Sequence, residues 1–183
     1  KNIINRQRYS SSKKLINRYS WITSGVIFIT PLPGIDLLAT SVINIQMLID
    51  ISKIYGAKLT KERATELVKS TVKVLATLGV VKGGFNLFTN FLSTNFTTSF
   101  ISKSAQSITA AWIIRIVGLA FVQYFEKDQN WGDGGIQETV QNIYEINKRE
   151  DILKEFLKEA LQKINFKSNS SNNRQLPPHS QFD

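Results

Sequence analysis

Apolar positions in this chain fall in long runs or at helical spacing, and no segment alternates with the two-residue period of a strand. The run from Tyr19 to Ile49 is almost wholly uncharged and is broken at one point, Ile29-Thr30-Pro31-Leu32-Pro33-Gly34-Ile35-Asp36. Proline cannot donate within a helix, and it pushes the residue before it out of helical space. Pro31, Pro33 and Gly34 therefore predict a hairpin turn between two apolar helices, Ser20 to about Thr30 and Asp36 to Tyr55. Asp36 suits the positive end of the second helix, and Gly56 suits its C-terminal cap.

Thr60 reads as the cap of a further helix with Glu62 in its first turn. Ala64, Leu67, Val68, Thr71, Leu75 and Leu78 recur there at helical spacing. Gly83-Gly84 reads as a break, with close packing between helices as the alternative. Phe85 to Ser102 predicts an uncharged helix whose Phe85, Phe88 and Leu92 share a stripe, and the series Phe85, Phe88, Phe91, Phe96 and Phe100 reads as packing. Lys103 interrupts. Ser104 to Phe125 is strongly apolar, carries only Arg115, and is close to the length that crosses a bilayer. Tyr124 and Trp131 suit an interface at its end. Asp133-Gly134-Gly135 opens one long amphipathic helix from Ile136 to Asn165. The reading is all-α: apolar helical hairpins plus that C-terminal helix, flanked by an extended N-terminal arm and a polar tail. In domain terms, residues 1–18 form a basic arm, 19–165 a helical membrane-associated domain and 166–183 the tail.

Composition narrows the chemistry. Among 183 residues there is no cysteine, and the one histidine, His179, lies in the polar tail. Disulfides, thiolate zinc sites, cysteine nucleophiles and histidine acid–base chemistry are thereby excluded or nearly so. Glu138, Glu145 and Glu150 lack the spacing of a metal cluster, and Gly132-Asp133-Gly134-Gly135 lacks the Gly-Lys-Ser/Thr ending of a phosphate loop, so it reads as a turn and helix cap. No cofactor and no reaction is expected. The net charge is +9. Part of it is local: Lys1, Arg6, Arg8, Lys13, Lys14 and Arg18 stand before the first acid of the chain. A basic segment beside apolar helices predicts contact with anionic headgroups through Arg6, Arg8, Lys13, Lys14 and Arg18. Nucleic acid competes for such charge, but no zinc motif, RNA-binding aromatic signature or basic recognition helix supports it. Abundant Lys, Ile, Asn and Ser resembles the products of AT-rich genomes, plastid genomes among them. The first residue is Lys1, as expected of a fragment or processed product.

Two further expectations concern specific residues. Arg115 and Asp36, each alone in an apolar stretch, are a candidate buried ion pair; the alternative has Arg115 in water and Asp36 as a helix cap. The Ser/Asn-rich tail with Arg174, Leu176, Pro177, Pro178 and Phe182 predicts a segment that binds a partner protein or is solvated.

The stretch from Ile29 through Leu67, together with Asn130-Trp131-Gly132-Asp133-Gly134-Gly135-Ile136-Gln137-Glu138, resembles the DUF697 family, a helical domain of unknown function. The resemblance spans about Tyr19 to Asn165 and leaves the arm and tail outside. It implies a helical, membrane-associated domain, frequent in cyanobacteria and elsewhere found beside GTPase domains. No phosphate loop or guanine-specificity motif is present, so nucleotide hydrolysis is not implied. The expected role is non-enzymatic: an anchoring or linking subunit of a larger, photosynthetic assembly at a plastid or cyanobacterial thylakoid membrane, with lipids and other subunits as partners. Two alternatives are a helical regulatory module acting with a GTPase in membrane remodelling or transport, and a small channel-like oligomer.

Overall fold

A computed structural model describes the backbone of residues 2–29, 37–94 and 98–172, and the side chains of 2–25, 41–94, 101 and 104–164. The fold is all-α. In chain order the helices are α1 (Asn2–Ile29), α2 (Leu37–Ile54), α3 (Lys61–Thr77), α4 (Val80–Ser93), α5 (Thr98–Glu126), α6 (Gly135–Lys148) and α7 (Glu150–Asn172). No strand occurs among the described residues. The chain divides into two units, residues 1–148 and 149–183.

In the first unit α5 is the central helix, packed most extensively by α1, then by α4, and also by α2 and α6. The span Ser104–Glu126, with mean hydropathy 1.7, is long and apolar enough to cross a membrane. Its sides are nevertheless covered by protein: 83% of its most apolar stretch is buried. Ile108, Ile114, Ile116, Val117, Ala120 and Phe121 are fully enclosed. Burial of such side chains, at about 1.5–3 kcal/mol each, is the dominant stabilising contribution.

The basic segment expected as an extended arm is helical, since α1 is continuous from Asn2. The stripe that holds it is Ser12, Ile16, Ser20 and Thr23, all buried at helical spacing. Three of those four residues are small and polar, so a search for large apolar residues passes over the period. Small residues let helix axes approach closely. Opposite them on α5, Gly118 lies so near Ile16 that an added Cβ would stand 2.6 Å from its Cγ1. Further along, the Ser107 hydroxyl donates to the Ser24 carbonyl at 3.2 Å.

The α2 to α3 connection follows expectation. Gly56 adopts φ +72°, and the Ala57 amide donates to the Ser52 carbonyl at 2.9 Å. Thr60 caps α3 by accepting from the Arg63 amide at 3.2 Å. Ala64, Leu67, Val68, Thr71 and Leu75 are buried as their spacing predicts. The break expected at Gly83-Gly84 falls instead at Gly79, where φ is +68° and α3 and α4 meet at 59°. Gly83 and Gly84 lie inside α4, and Gly84 is buried against Trp112, whose ring carbons would stand 3.0 Å from an added Cβ. The pair is a close-packing point. Phe88 meets Trp112 edge-on, with centroids 5.4 Å apart, and Leu92 is fully buried, so these members of the aromatic helix are core. Phe96 and Phe100 lie outside the described side chains. Lys103 does not interrupt α5, because one residue of good helix propensity costs a continuous helix little.

The single C-terminal helix expected from Ile136 to Asn165 is two, parted at Arg149. Lys148 favours the negative end of α6, and Glu150 and Asp151 favour the positive start of α7. The charge run read as a wet face is therefore a boundary.

The α1–α5 approach generates a prediction. Gly118→Val should destabilise the protein by about 1–3 kcal/mol through overpacking. Adding Ile16→Ala should return part of that loss, because the two side chains compete for one space. Urea unfolding of the single and double variants measures both; purely additive losses would show that Ile16 does not set the spacing.

Candidate functional site

The candidate site begins with the outer surface of α1, a helix without any acid. Its inner stripe is committed to α5, which turns the charged positions outward. Arg6, Lys13, Lys14 and Arg18 are exposed and Arg8 is half-buried. Arg18 stands four positions after Lys14 and three and four positions before Trp21 and Ile22, so cations and apolar side chains share one side of the helix. Ile3, Ile4 and Ile22 are exposed at 74%, 55% and 46%. The Trp21 indole donates to Asn17 Oδ1 at 2.9 Å, and Lys13 stands 5.7 Å over the Tyr9 ring. All five residues expected to meet a membrane surface thus lie on one helix.

Polar contacts hold this helix in place. The Tyr19 hydroxyl donates to Asp50 Oδ2 on α2 at 2.6 Å. Burial, reinforced by the Asp50 carboxylate, pushes the Tyr19 phenol up to about 12. Burial on its own raises the Asp50 carboxyl, but hydrogen bonds from Tyr19, Lys53 and Gln46 outweigh it and leave Asp50 below the ordinary carboxylate range. This bridge was not visible in the sequence, because nothing local marks two residues 31 positions apart as partners.

Near the N-terminal end of α1 a cavity of about 380 Å³ is lined by Ile4, Asn5 and Arg8, by Tyr55 after α2, and by Phe125, Glu126 and Asp128 at the end of α5. Arg8 stands 5.9 Å over the Tyr55 ring, which also stacks on Phe125 at 5.9 Å. The Tyr55 hydroxyl donates to Glu126 Oε1 at 3.4 Å.

The Gly-rich segment after α5 is a turn and helix entry, as its sequence predicts. Gly132 and Gly135 adopt φ +83° and +67°. Asn130 Oδ1 accepts from the Gly132 amide at 2.8 Å, and Thr139 Oγ1 donates to the Trp131 carbonyl at 3.0 Å. Tyr124 and Trp131, expected at a membrane interface, pack on each other with centroids 4.6 Å apart, and Tyr124 is buried.

The remaining expectations divide by position. Arg115 is half-buried on α5, but Asp36 lies outside the described residues, and with it the proposed pair. The hairpin residues Pro31, Pro33 and Gly34 lie outside them too, as do the tail residues Arg174, Leu176, Pro177, Pro178 and Phe182. Among the described residues no group of three or more His, Cys, Asp or Glu could hold a metal ion.

A helical bundle with a cationic outer helix defines the class. The chain belongs to the DUF697 family, a domain of unknown function, whose model matches residues 1–149. The match takes in the basic N-terminal helix, which the sequence reading placed outside the family, and stops where α6 ends. No curated protein and no solved structure matches the chain.

The Tyr19–Asp50 bridge gives a pH prediction. The folded state holds the Tyr19 phenol above its ordinary 10.0. The stability it contributes is whole below pH 10 and is lost as pH rises through about 12. Tyr19→Phe should therefore lower stability by about 1 kcal/mol at neutral pH. It should also make the alkaline decline between those values shallower than in the wild type. Urea midpoints measured across that range test this; parallel curves would show that the phenol does not couple to folding.

Proposed function

We propose that this protein is a non-enzymatic module that docks on an anionic membrane surface through α1 and there anchors or links other subunits of a larger assembly. The observation that carries the reading is the outer side of α1, where Arg6, Lys13, Lys14 and Arg18 stand exposed beside Ile3, Ile4 and Ile22 with no acid anywhere in the helix. Such a surface gains from two sources at once. Cations are drawn to anionic headgroups, and apolar side chains enter the boundary beneath them. Enclosure of α5 by its neighbours favours docking on the surface over spanning, since a helix already covered by protein has little side left for lipid. A plastid or cyanobacterial setting is supported by the richness in Lys, Ile, Asn and Ser. The linking role is supported by the second unit, whose α7 exposes both charge signs at Glu150, Asp151, Lys154, Glu155 and Lys158.

Sedimentation with vesicles tests the docking. The protein should bind phosphatidylcholine vesicles that contain phosphatidylglycerol, and salt should release it as exposed charges are screened over about 8–10 Å. Reversing charge at Lys13, Lys14 and Arg18 together to Glu should weaken binding by a hundredfold or more, at about 1 kcal/mol for each cation removed. The melting temperature should change little, since all three side chains are exposed. Equal binding to pure phosphatidylcholine, or binding untouched by charge reversal, would refute docking through α1. Retention after high-salt and alkaline washes would place α5 across the bilayer instead.

A further inference from the structure

We propose that the cavity between α1, the end of α2 and the end of α5 binds a small zwitterion, with Arg8 taking its anionic group and Glu126 and Asp128 taking a primary ammonium. The cavity's size suits a small ligand, and its lining combines an apolar floor, Phe125 and the Tyr55 ring, with a few polar groups.

Three features carry the assignment. The first is unneutralised charge. Arg8, Glu126 and Asp128 line one cavity, yet none of the three belongs to an ion pair among the described residues. Arg8 lies over Tyr55 instead of reaching across to either carboxylate. Opposite charges held apart across a cavity leave room for a molecule that carries the complementary pair.

The second is placement. Glu126 is the last residue of α5 and Asp128 follows two positions later, at the negative end of a 29-residue helix with no basic residue in its last turn. Carboxylates at a helix C-terminus meet unfavourable charge, and a cation there is favoured. The third is the backbone. Asp128 and Gln129 adopt φ +54° and +63° in succession. Residues other than glycine adopt this conformation at a cost, and here it carries the chain around the cavity's edge with Asp128 in the lining. The floor is fixed as well, because Tyr55 has Arg8 on its ring and stacks on Phe125 while its hydroxyl donates to Glu126.

The recognised chemistry is an ammonium that can donate hydrogen bonds, set a few bonds from a phosphate or carboxylate. Such a group occurs both in free small molecules and in ethanolamine phospholipid headgroups. The site is tested apart from membrane docking, since Lys13, Lys14 and Arg18, whose charges carry the docking test, are not among its lining residues.

Calorimetric titration of the full chain with O-phosphoethanolamine is the direct test, with ethanolamine alone and inorganic phosphate alone as comparisons. The zwitterion should bind about tenfold or more tightly than either half, as expected when charge-assisted hydrogen bonds form at both ends. Glu126→Gln with Asp128→Asn should remove that advantage and leave the response to inorganic phosphate and the melting temperature unchanged. Arg8→Gln should remove the phosphate response. A second arm compares vesicles of phosphatidylethanolamine with vesicles of phosphatidylcholine at equal phosphatidylglycerol content. Preference for the ethanolamine vesicles, abolished in the Glu126/Asp128 variant, assigns the ligand to a headgroup; a response to the soluble probe without vesicle preference assigns it to a free molecule. No saturable response to O-phosphoethanolamine into the millimolar range together with no vesicle preference overturns the proposal. Equal responses of wild type and variant overturn it as well. Salt-sensitive binding to phosphatidylglycerol would still stand in either case, so failure of this site and failure of membrane docking are separable.

Discussion

The close approach of α1 to α5 is the constraint on which the rest of the first unit depends. It is set where Gly118 faces Ile16, with too little space between them for a further carbon. With α1 seated there, Ser12, Ser20 and Thr23 are committed to the interior, and the helix has only one way to direct its cations, which is outward. The same seating brings Tyr19 to Asp50 on α2 and Arg8 to the Tyr55 ring. Both the cationic surface and the cavity at its end are therefore consequences of one helix–helix packing distance.

The composition of helix α5 suits two settings. Its apolar length satisfies the requirement for crossing a bilayer. The same length also satisfies the requirement for a helix at the centre of a bundle, because hydrocarbon and a protein interior reward the same side chains. What separates the two cases is the character of the surrounding helices. Here α3 and α6 bury one side and carry charges such as Lys61, Arg63, Glu66, Glu138 and Glu145 on the other. Buried small polar groups on α5, among them Ser104, Ser107 and Thr109, belong to this packing too: Thr109 donates to the Ala105 carbonyl at 2.6 Å and Ser107 to Ser24.

Glycine plays two opposed roles in the chain. At Gly56, Gly79 and Gly135 it supplies a left-handed backbone that ends or begins a helix, and at Gly132 one that turns the loop before α6. At Gly84 and Gly118 it sits within a helix, where absence of a side chain lets Trp112 and Ile16 approach. Both roles are open to the same residue, and only the neighbours decide between them. That is why the helix break belongs to Gly79 although Gly83-Gly84 carries the stronger local signal.

The sequence alone determined the helical class, the Gly56 stop, the Thr60 cap, the buried stripe of α3, the turn character of the Asn130–Gly135 segment and the family. Each of these rests on local physics: a hydrogen bond within a few residues, a backbone angle open to glycine, or a period of large apolar side chains. It also marked Arg6, Arg8, Lys13, Lys14 and Arg18 as one group, since charge is legible without a fold. Tertiary structure decided what depends on distant partners. The helix over residues 2–18 is seated by a buried stripe of Ser12, Ile16, Ser20 and Thr23, in which Ile16 meets Gly118 on α5. The pairing of Tyr19 with Asp50, and the gathering of Arg8, Tyr55, Glu126 and Asp128 around one cavity, join positions that share no local signal. The parting of α6 from α7 lies between these cases: its charges were visible in the sequence, but they read equally well as an exposed face until the chain was seen to break at Arg149.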